Sequence, residues 1–327
     1  MQRTAAFYTE RGFGFFQQRK YKLAEEDLKK AIVMDPEINS ASYHAKLGWS
    51  LYKQGKYNEA TASLYKATEL ESDNSRYYYY LARVFYKQRH FKTAMVYLEL
   101  AIEQNSMNYG FYIFHAAINS ALGNYHAALN TLSGVIESDE NNAMARKHRG
   151  CVYHIFGSFK CAFDDYDKAI QLGLHHHSLY YNRGLIFYKQ KKFSNAIEDF
   201  DQAILKKPDE PAYFYDRMLS CFMLGKYDEA ILDCVEILLM SKNNYLCEIF
   251  ENTFININLE LQKRELHESI QCLSTNEKIN LINIFIDAKH FASSRSNTLS
   301  GIDLHYHSDE GFTDLEESSV ISIRRKY

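Results

Sequence analysis

Three consecutive histidines, His175, His176 and His177, form the densest group of metal-type ligands in the chain. Adjacent side chains leave a backbone in different directions, so one ion would need distant partners, and the expectation is an exposed polar turn. The six cysteines (Cys151, Cys161, Cys221, Cys234, Cys247, Cys272) show neither a C-x-x-C pair nor Cys/His zinc spacing. Most fall inside apolar helical patterns, where a free thiol acts as a small hydrophobe in a reducing interior. Paired carboxylates such as Asp164–Asp165 are placed on helix surfaces without an evident pocket. Gly-rich phosphate loops, HExxH, GxSxG and kinase signatures are missing from the sequence. No enzyme, metal, cofactor or small-molecule substrate is therefore expected. What remains is recognition chemistry: 26 Tyr and 21 Phe help raise the aromatic share to 15%, interleaved with Lys and Arg.

The elements that position these residues repeat. Ala24, Ala60, Ala94, Ala128, Ala162, Ala196 and Ala230 are spaced by 36 and then five times by 34. Three residues before each stands a ring: Tyr21, Tyr57, Phe91, Tyr125, Phe159, Phe193, Tyr227. Four after each stand Leu28, Leu64, Leu98, Leu132, Tyr166, Phe200 and Cys234, and twelve before stand Gly12, Gly48, Ala82, Ala116, Gly150, Gly184 and Met218. Offsets of three and four place these positions on one helical stripe, and the small residues allow two helices to approach closely. Turns reading GKY, GNY, GSF and KKF put Gly where a helix end favours positive φ. One helix pair cannot bury its own apolar face, so the copies must stack into a solenoid.

The copies also serve as an internal alignment. Arg11, Leu47, Leu81, His115, Arg149, Arg183 and Arg217 form one column; sixteen residues on, Asp27, Ser63, Tyr97, Thr131, Asp165, Asp199 and Asp233 form another. Arg and Asp occur together in copies 1, 5, 6 and 7 and are both missing from copies 2, 3 and 4. The pattern predicts a guanidinium–carboxylate fork within each copy, helix to helix, rather than a ring of arginines for phosphate.

These columns resemble the tetratricopeptide repeat, a 34-residue helix–turn–helix. The resemblance covers residues 5–244 in seven copies: 5–40, 41–74, 75–108, 109–142, 143–176, 177–210 and 211–244. It implies an all-α superhelical α-solenoid. It departs at the terminal Pro, matched only by Pro36 and Pro208. In this family the first helix of each pair lines a concave peptide-binding groove. The resemblance thus implies groove positions Lys46, Trp49, Tyr52 and Lys53 in copy 2, and Arg76, Tyr79, Tyr80, Arg83 and Lys87 in copy 3. Copy 6 would add Tyr181 and Asn182, while Tyr78 and Leu81 read as core. Such a groove is basic and Tyr-rich, suited to an acidic or amphipathic segment of a protein partner. Chaperone-binding members grip a terminal carboxylate with Lys and Asn; Lys147 and Asn182 match that set here, but Cys151, Ala212 and Asp216 replace the rest, which disfavours that role.

Beyond the repeats, residues 245–291 keep helical periodicity, with Ser274 and Glu277 spaced as a capping box; they are expected to cap copy 7. Residues 292–327 read as a flexible, Ser-rich acidic tail whose 303–317 segment could dock in the basic groove. No apolar stretch is long enough to span a membrane and residues 1–20 lack a secretory leader, so a cytoplasmic protein is expected, with association to the cytoskeleton or a cilium as the variant of that expectation. The leading function is a non-enzymatic scaffold or adaptor. The alternatives are a structural subunit of a large cytoskeletal or ciliary assembly and single-stranded nucleic-acid binding, the latter disfavoured by a net charge of −3.

Overall fold

The computed structural model describes residues 4–35, 40–241, 274–276, 278–280, 282–283 and 286. Among them run fourteen helices and no strand: α1 Ala5–Gln17, α2 Tyr21–Met34, α3 Ala41–Lys53, α4 Tyr57–Leu70, α5 Ser75–Lys87, α6 Phe91–Gln104 and α7 Tyr109–Ala121, then α8 Tyr125–Ser138, α9 Ala143–Ile155, α10 Phe159–Gln171, α11 His177–Lys189, α12 Phe193–Lys206, α13 Pro211–Met223 and α14 Tyr227–Ser241. The ring column marks the first residue of every second helix. Two compact units divide between Glu140 and Asn141, the first holding α1–α8 and the second α9–α14. Within each unit, both helices of a copy pack together, and the second helix also packs on the first helix of the next copy.

First helices start at polar caps. Thr4, Ser40, Asn74, Asn108, Asn142 and His176 each accept a backbone N–H from the first turn, and Pro211 opens α13. The second helices α2, α4, α6, α8, α10 and α12 have no side-chain cap; every second helix follows a left-handed turn. In all seven copies the residue before the ring donates its N–H to the carbonyl five residues back, as Lys192 does to Phe187 at 2.9 Å. The left-handed residue is Gly55, Gly123, Gly157 or Gly225 in four copies but Arg19, Arg89 or Lys191 in three.

The Ala column is fully buried throughout, as is the large-residue column from Leu28 to Cys234. Size alternates across each pair: a Cβ at Gly150 would lie 2.7 Å from the Tyr166 ring, so only glycine admits that ring. Copy 7 exchanges the sizes, with Met218 opposite Cys234, both buried. Against α13 and α14 packs Ile282, fully buried with Ala230, Ile231 and Ile237, and Lys278 pairs with Asp228 at 2.5 Å. Residues 245–273, Glu277, 281, 284–285 and 287–291 of the expected cap, and the 292–327 tail, lie outside the described residues, as do Pro36, Cys247 and Cys272.

Candidate protein-interaction site

The Arg and Asp columns meet as forks. Nε and Nη2 of Arg149 donate to Asp165 at 2.8 and 2.8 Å, and those of Arg183 to Asp199 at 2.8 and 2.7 Å. Arg11–Asp27 and Arg217–Asp233 share the geometry. The carboxylates are buried, so Asp165 does not sit on the helix surface expected for the Asp164–Asp165 pair. The bond to Asp199 holds the Arg183 guanidinium above its usual value, whereas burial pushes the Asp199 carboxyl up against the pull of Arg183. The sequence columns did not foresee a third bond. Nη1 of Arg183 reaches back to Asp167 of copy 5 at 2.8 Å, and Nη1 of Arg217 to Asp201 of copy 6 at 2.5 Å. These arginines therefore clamp neighbouring copies as well as the two helices of one.

Copies 2 to 4 are joined differently. Trp49 of α3 stacks on Tyr80 of α5 at 4.3 Å and on Tyr52 at 4.7 Å; Tyr79 of α5 stacks on Phe111 of α7 at 5.2 Å. Arg83 donates to the Tyr79 hydroxyl at 3.0 Å and the Tyr52 hydroxyl at 3.4 Å, and lies 5.3 Å from the centre of the Phe114 ring. Trp49, Tyr52, Tyr79, Tyr80 and Arg83 are all at least nine-tenths buried. This corrects the reading of Tyr79 and Arg83 as an open groove face, while Tyr80, though largely covered by Trp49, keeps an edge on a neighbouring cavity: rings large enough to recognise a partner are also large enough to cross to the next helix, and here they do. Tyr78, read as core, is half-buried, and its hydroxyl donates to the Ser72 carbonyl; Leu81 is core as expected.

The cations remain nearer solvent. Arg76 is exposed, and Lys46, Lys53 and Lys87 are half-buried. Lys53 lies 5.3 Å from the Trp49 ring centre. Lys46 lies 4.2 Å from that of Phe13 and donates to the Ser42 hydroxyl. Lys46 and Arg76 line a cavity of about 360 Å³ with Phe16, Ser42, Asn74, Tyr77 and Tyr80. Burial, with the repulsion of Arg76, lowers the Lys46 ammonium below its ordinary value. The N-terminus of α5 opens on the same cavity, where Asn74 accepts the Arg76 N–H at 3.2 Å. Two cations and a helix N-terminus make a cradle for a carboxylate or similar anion. Phe16 was missed as a lining residue, although it is the copy 1 counterpart of Tyr52; Asn74 was legible only as a helix cap.

Tyr181 and Asn182 belong to the second unit and join a different polar cluster. The Tyr181 hydroxyl donates to Asp216 at 2.7 Å, and burial with that carboxylate pushes its pKa up. Asn182 is buried and its amide donates to Cys151 Sγ at 3.6 Å, so it is no groove residue. The histidine run is an exposed turn only at its start, since His175 is exposed, His176 half-buried and His177 buried. His175 pairs with the Tyr180 hydroxyl at 2.7 Å and His176 caps α11; His177 is buried against the Tyr213 hydroxyl at 2.6 Å. Among the described residues no three His, Cys, Asp or Glu gather as a metal site, and no helix is long and apolar enough to cross a membrane.

Family models described as "Tetratricopeptide repeat" and "TPR repeat" match residues 177–210 and 48–88. The chain is a tetratricopeptide repeat protein. A tetratricopeptide repeat protein from Parabacteroides merdae ATCC 43184 matches at 18% identity and TM-score 0.58, over 75% of this chain and 96% of that one. The crystal structure of the APC/C hetero-tetramer Cut9–Hcn1 matches at 18% identity and TM-score 0.59, over 73% of this chain and 46% of that one. At such identities the likeness concerns the fold. No curated protein matches the chain. The repeats support a protein-interaction scaffold in general terms.

Proposed function

We propose that this tetratricopeptide repeat protein is a non-enzymatic adaptor that holds an acidic segment of a partner protein on the face built by α3 and α5. One observation carries the reading: Lys46 and Arg76 converge on a cavity beside the N-terminus of α5, although the whole chain is net acidic. Lys53 and Lys87 extend the positive stripe along α3 and α5. The buried ring stack beneath gives the face a rigid floor, so a partner loses its own freedom on binding but does not have to order the receptor. Residues 303–317 carry the same acidic chemistry and would compete for the face in cis.

The test is affinity capture with the full chain and with a Lys46→Glu, Arg76→Glu variant. Arg76 is exposed and Lys46 half-buried, and circular dichroism of the variant checks that it folds. Partners should bind the parent, weaken with salt, and be lost with the variant. Partners kept by both baits would place recognition elsewhere; capture of single-stranded RNA lost on the same charge reversal would assign the face to nucleic acid.

A further inference from the structure

A second cavity, of about 760 Å³, lies between α6, α7 and α8 and shares no lining residue with the first. Its place in the repeat explains it. In copies 6 and 7 the corresponding position holds an arginine with three kinds of neighbour. Arg183 forks onto Asp199 of its own copy, reaches Asp167 of the preceding copy, and lies 6.0 Å from the ring centre of Tyr180, three residues before it. Arg217 repeats this with Asp233, Asp201 and Phe214.

Copy 4 keeps two of the three neighbours and loses the cation. Tyr112 stands at the Tyr180 position, Glu99 at the Asp167 position and Thr131 at the Asp199 position, and all three line the cavity. The arginine is replaced by His115, whose Nδ1 lies 3.3 Å from the Asn119 amide and 3.4 Å from the Thr131 hydroxyl. An imidazole is too short to reach both acceptors. Burial holds its pKa below the ordinary value, with Glu99 opposing, so the site disfavours the charged imidazole that would stand in for the missing guanidinium. Glu103, one turn along α6 from Glu99, adds a second carboxylate, and exposed Met107 forms an apolar rim. At the preceding junction the same loss of arginine is compensated within the chain: the Tyr65 and Tyr97 hydroxyls meet at 3.0 Å across copies 2 and 3.

We propose that this cavity receives an arginine side chain from a partner protein, which completes from outside the clamp that copies 6 and 7 make for themselves. Its guanidinium forks onto Glu99 and the Thr131 hydroxyl and stacks on Tyr112. The volume exceeds one side chain, so apolar residues flanking the arginine enter with it, against Met107 and Val135.

The probe is the peptide acetyl-Gly-Leu-Arg-Leu-Gly-amide, titrated into the full chain while the His115 ring resonances are followed. The expected result is saturable binding that shifts His115, at least tenfold weaker for the peptide with citrulline in place of arginine and at least fivefold weaker for Glu99→Gln. A variant carrying His115→Arg with Thr131→Asp rebuilds the internal clamp. It should melt no lower than the parent, which shows that it folds, and should lose the peptide. Equal binding of the citrulline peptide, retention of the peptide by the rebuilt variant, or no saturable binding at all would overturn the proposal. Free L-arginine binding as tightly as the peptide would overturn the assignment to a protein partner.

Discussion

Copies 2–4 and copies 5–7 build the same helix pair and join it to its neighbours by different chemistry. In copies 5–7, each first helix projects an arginine that forks onto a buried aspartate. In copies 2–4, Trp49, Tyr52, Tyr79, Tyr80 and Phe111 stack across successive first helices, and the buried cation, Arg83, faces phenols and a ring. The difference matters because the two materials fail differently. A buried carboxylate that loses its arginine is a stranded charge, while a phenol that loses one loses a hydrogen bond. Copies with internal clamps are self-sufficient. Copy 4 has neither the fork nor the Tyr–Tyr bridge, and it carries the larger cavity.

The largest expected effect tests the clamp. Arg183→Leu strands Asp199 and should cost ~3–5 kcal/mol in urea unfolding, whereas Arg183→Leu with Asp199→Leu should cost less. An equal or greater loss in the double variant would mean the fork contributes more than it costs to desolvate. The second test concerns pH. Both His154 nitrogens are buried without a hydrogen-bond partner among the described residues, and burial lowers its pKa to about 4, with Lys189 contributing. A histidine depressed in the folded state supports folding above its unfolded pKa, and that support is lost as pH falls from about 6.5 towards 4. His154→Leu should therefore flatten the decline of unfolding free energy over that window, by up to ~3 kcal/mol in urea titrations at successive pH values. The comparison is variant against parent because burial pushes the Asp233 carboxyl up to about 6, against Arg217, and it titrates in the opposite sense.

Arg83→Leu comes third. It removes two bonds to neutral hydroxyls, so ~1–3 kcal/mol is expected. A loss matching that of Arg183→Leu would erase the distinction between the two regions. The smallest effect concerns the turns, which both regions share. Lys191 and Arg89 adopt φ of 60° and 63°, where their counterparts are glycines. Lys191→Gly and Arg89→Gly should each raise stability by ~1 kcal/mol through relief of that conformation. A lower Tm would mean that side-chain packing at those turns outweighs the backbone strain.

Local spacing determined a great deal. The Ala, ring and large-residue columns mark helix starts and core positions because a 3.6-residue period maps sequence offsets directly onto one face. The Arg–Asp covariation named pairs that touch, since a fixed repeat makes sixteen residues a fixed distance. What spacing could not show is which side of a first helix a ring covers once its neighbour is in place. Trp49, Tyr79, Tyr80 and Arg83 have the types of interface residues, and the packing of α3, α5 and α7 put them inside. Asn182 met Cys151 for the same reason. Cavities are the extreme case. An empty volume is the difference between what three helices enclose and what their side chains fill, so the two cavities, one beside Lys46 and Arg76 and the other at His115, became visible only when all the surrounding atoms were placed.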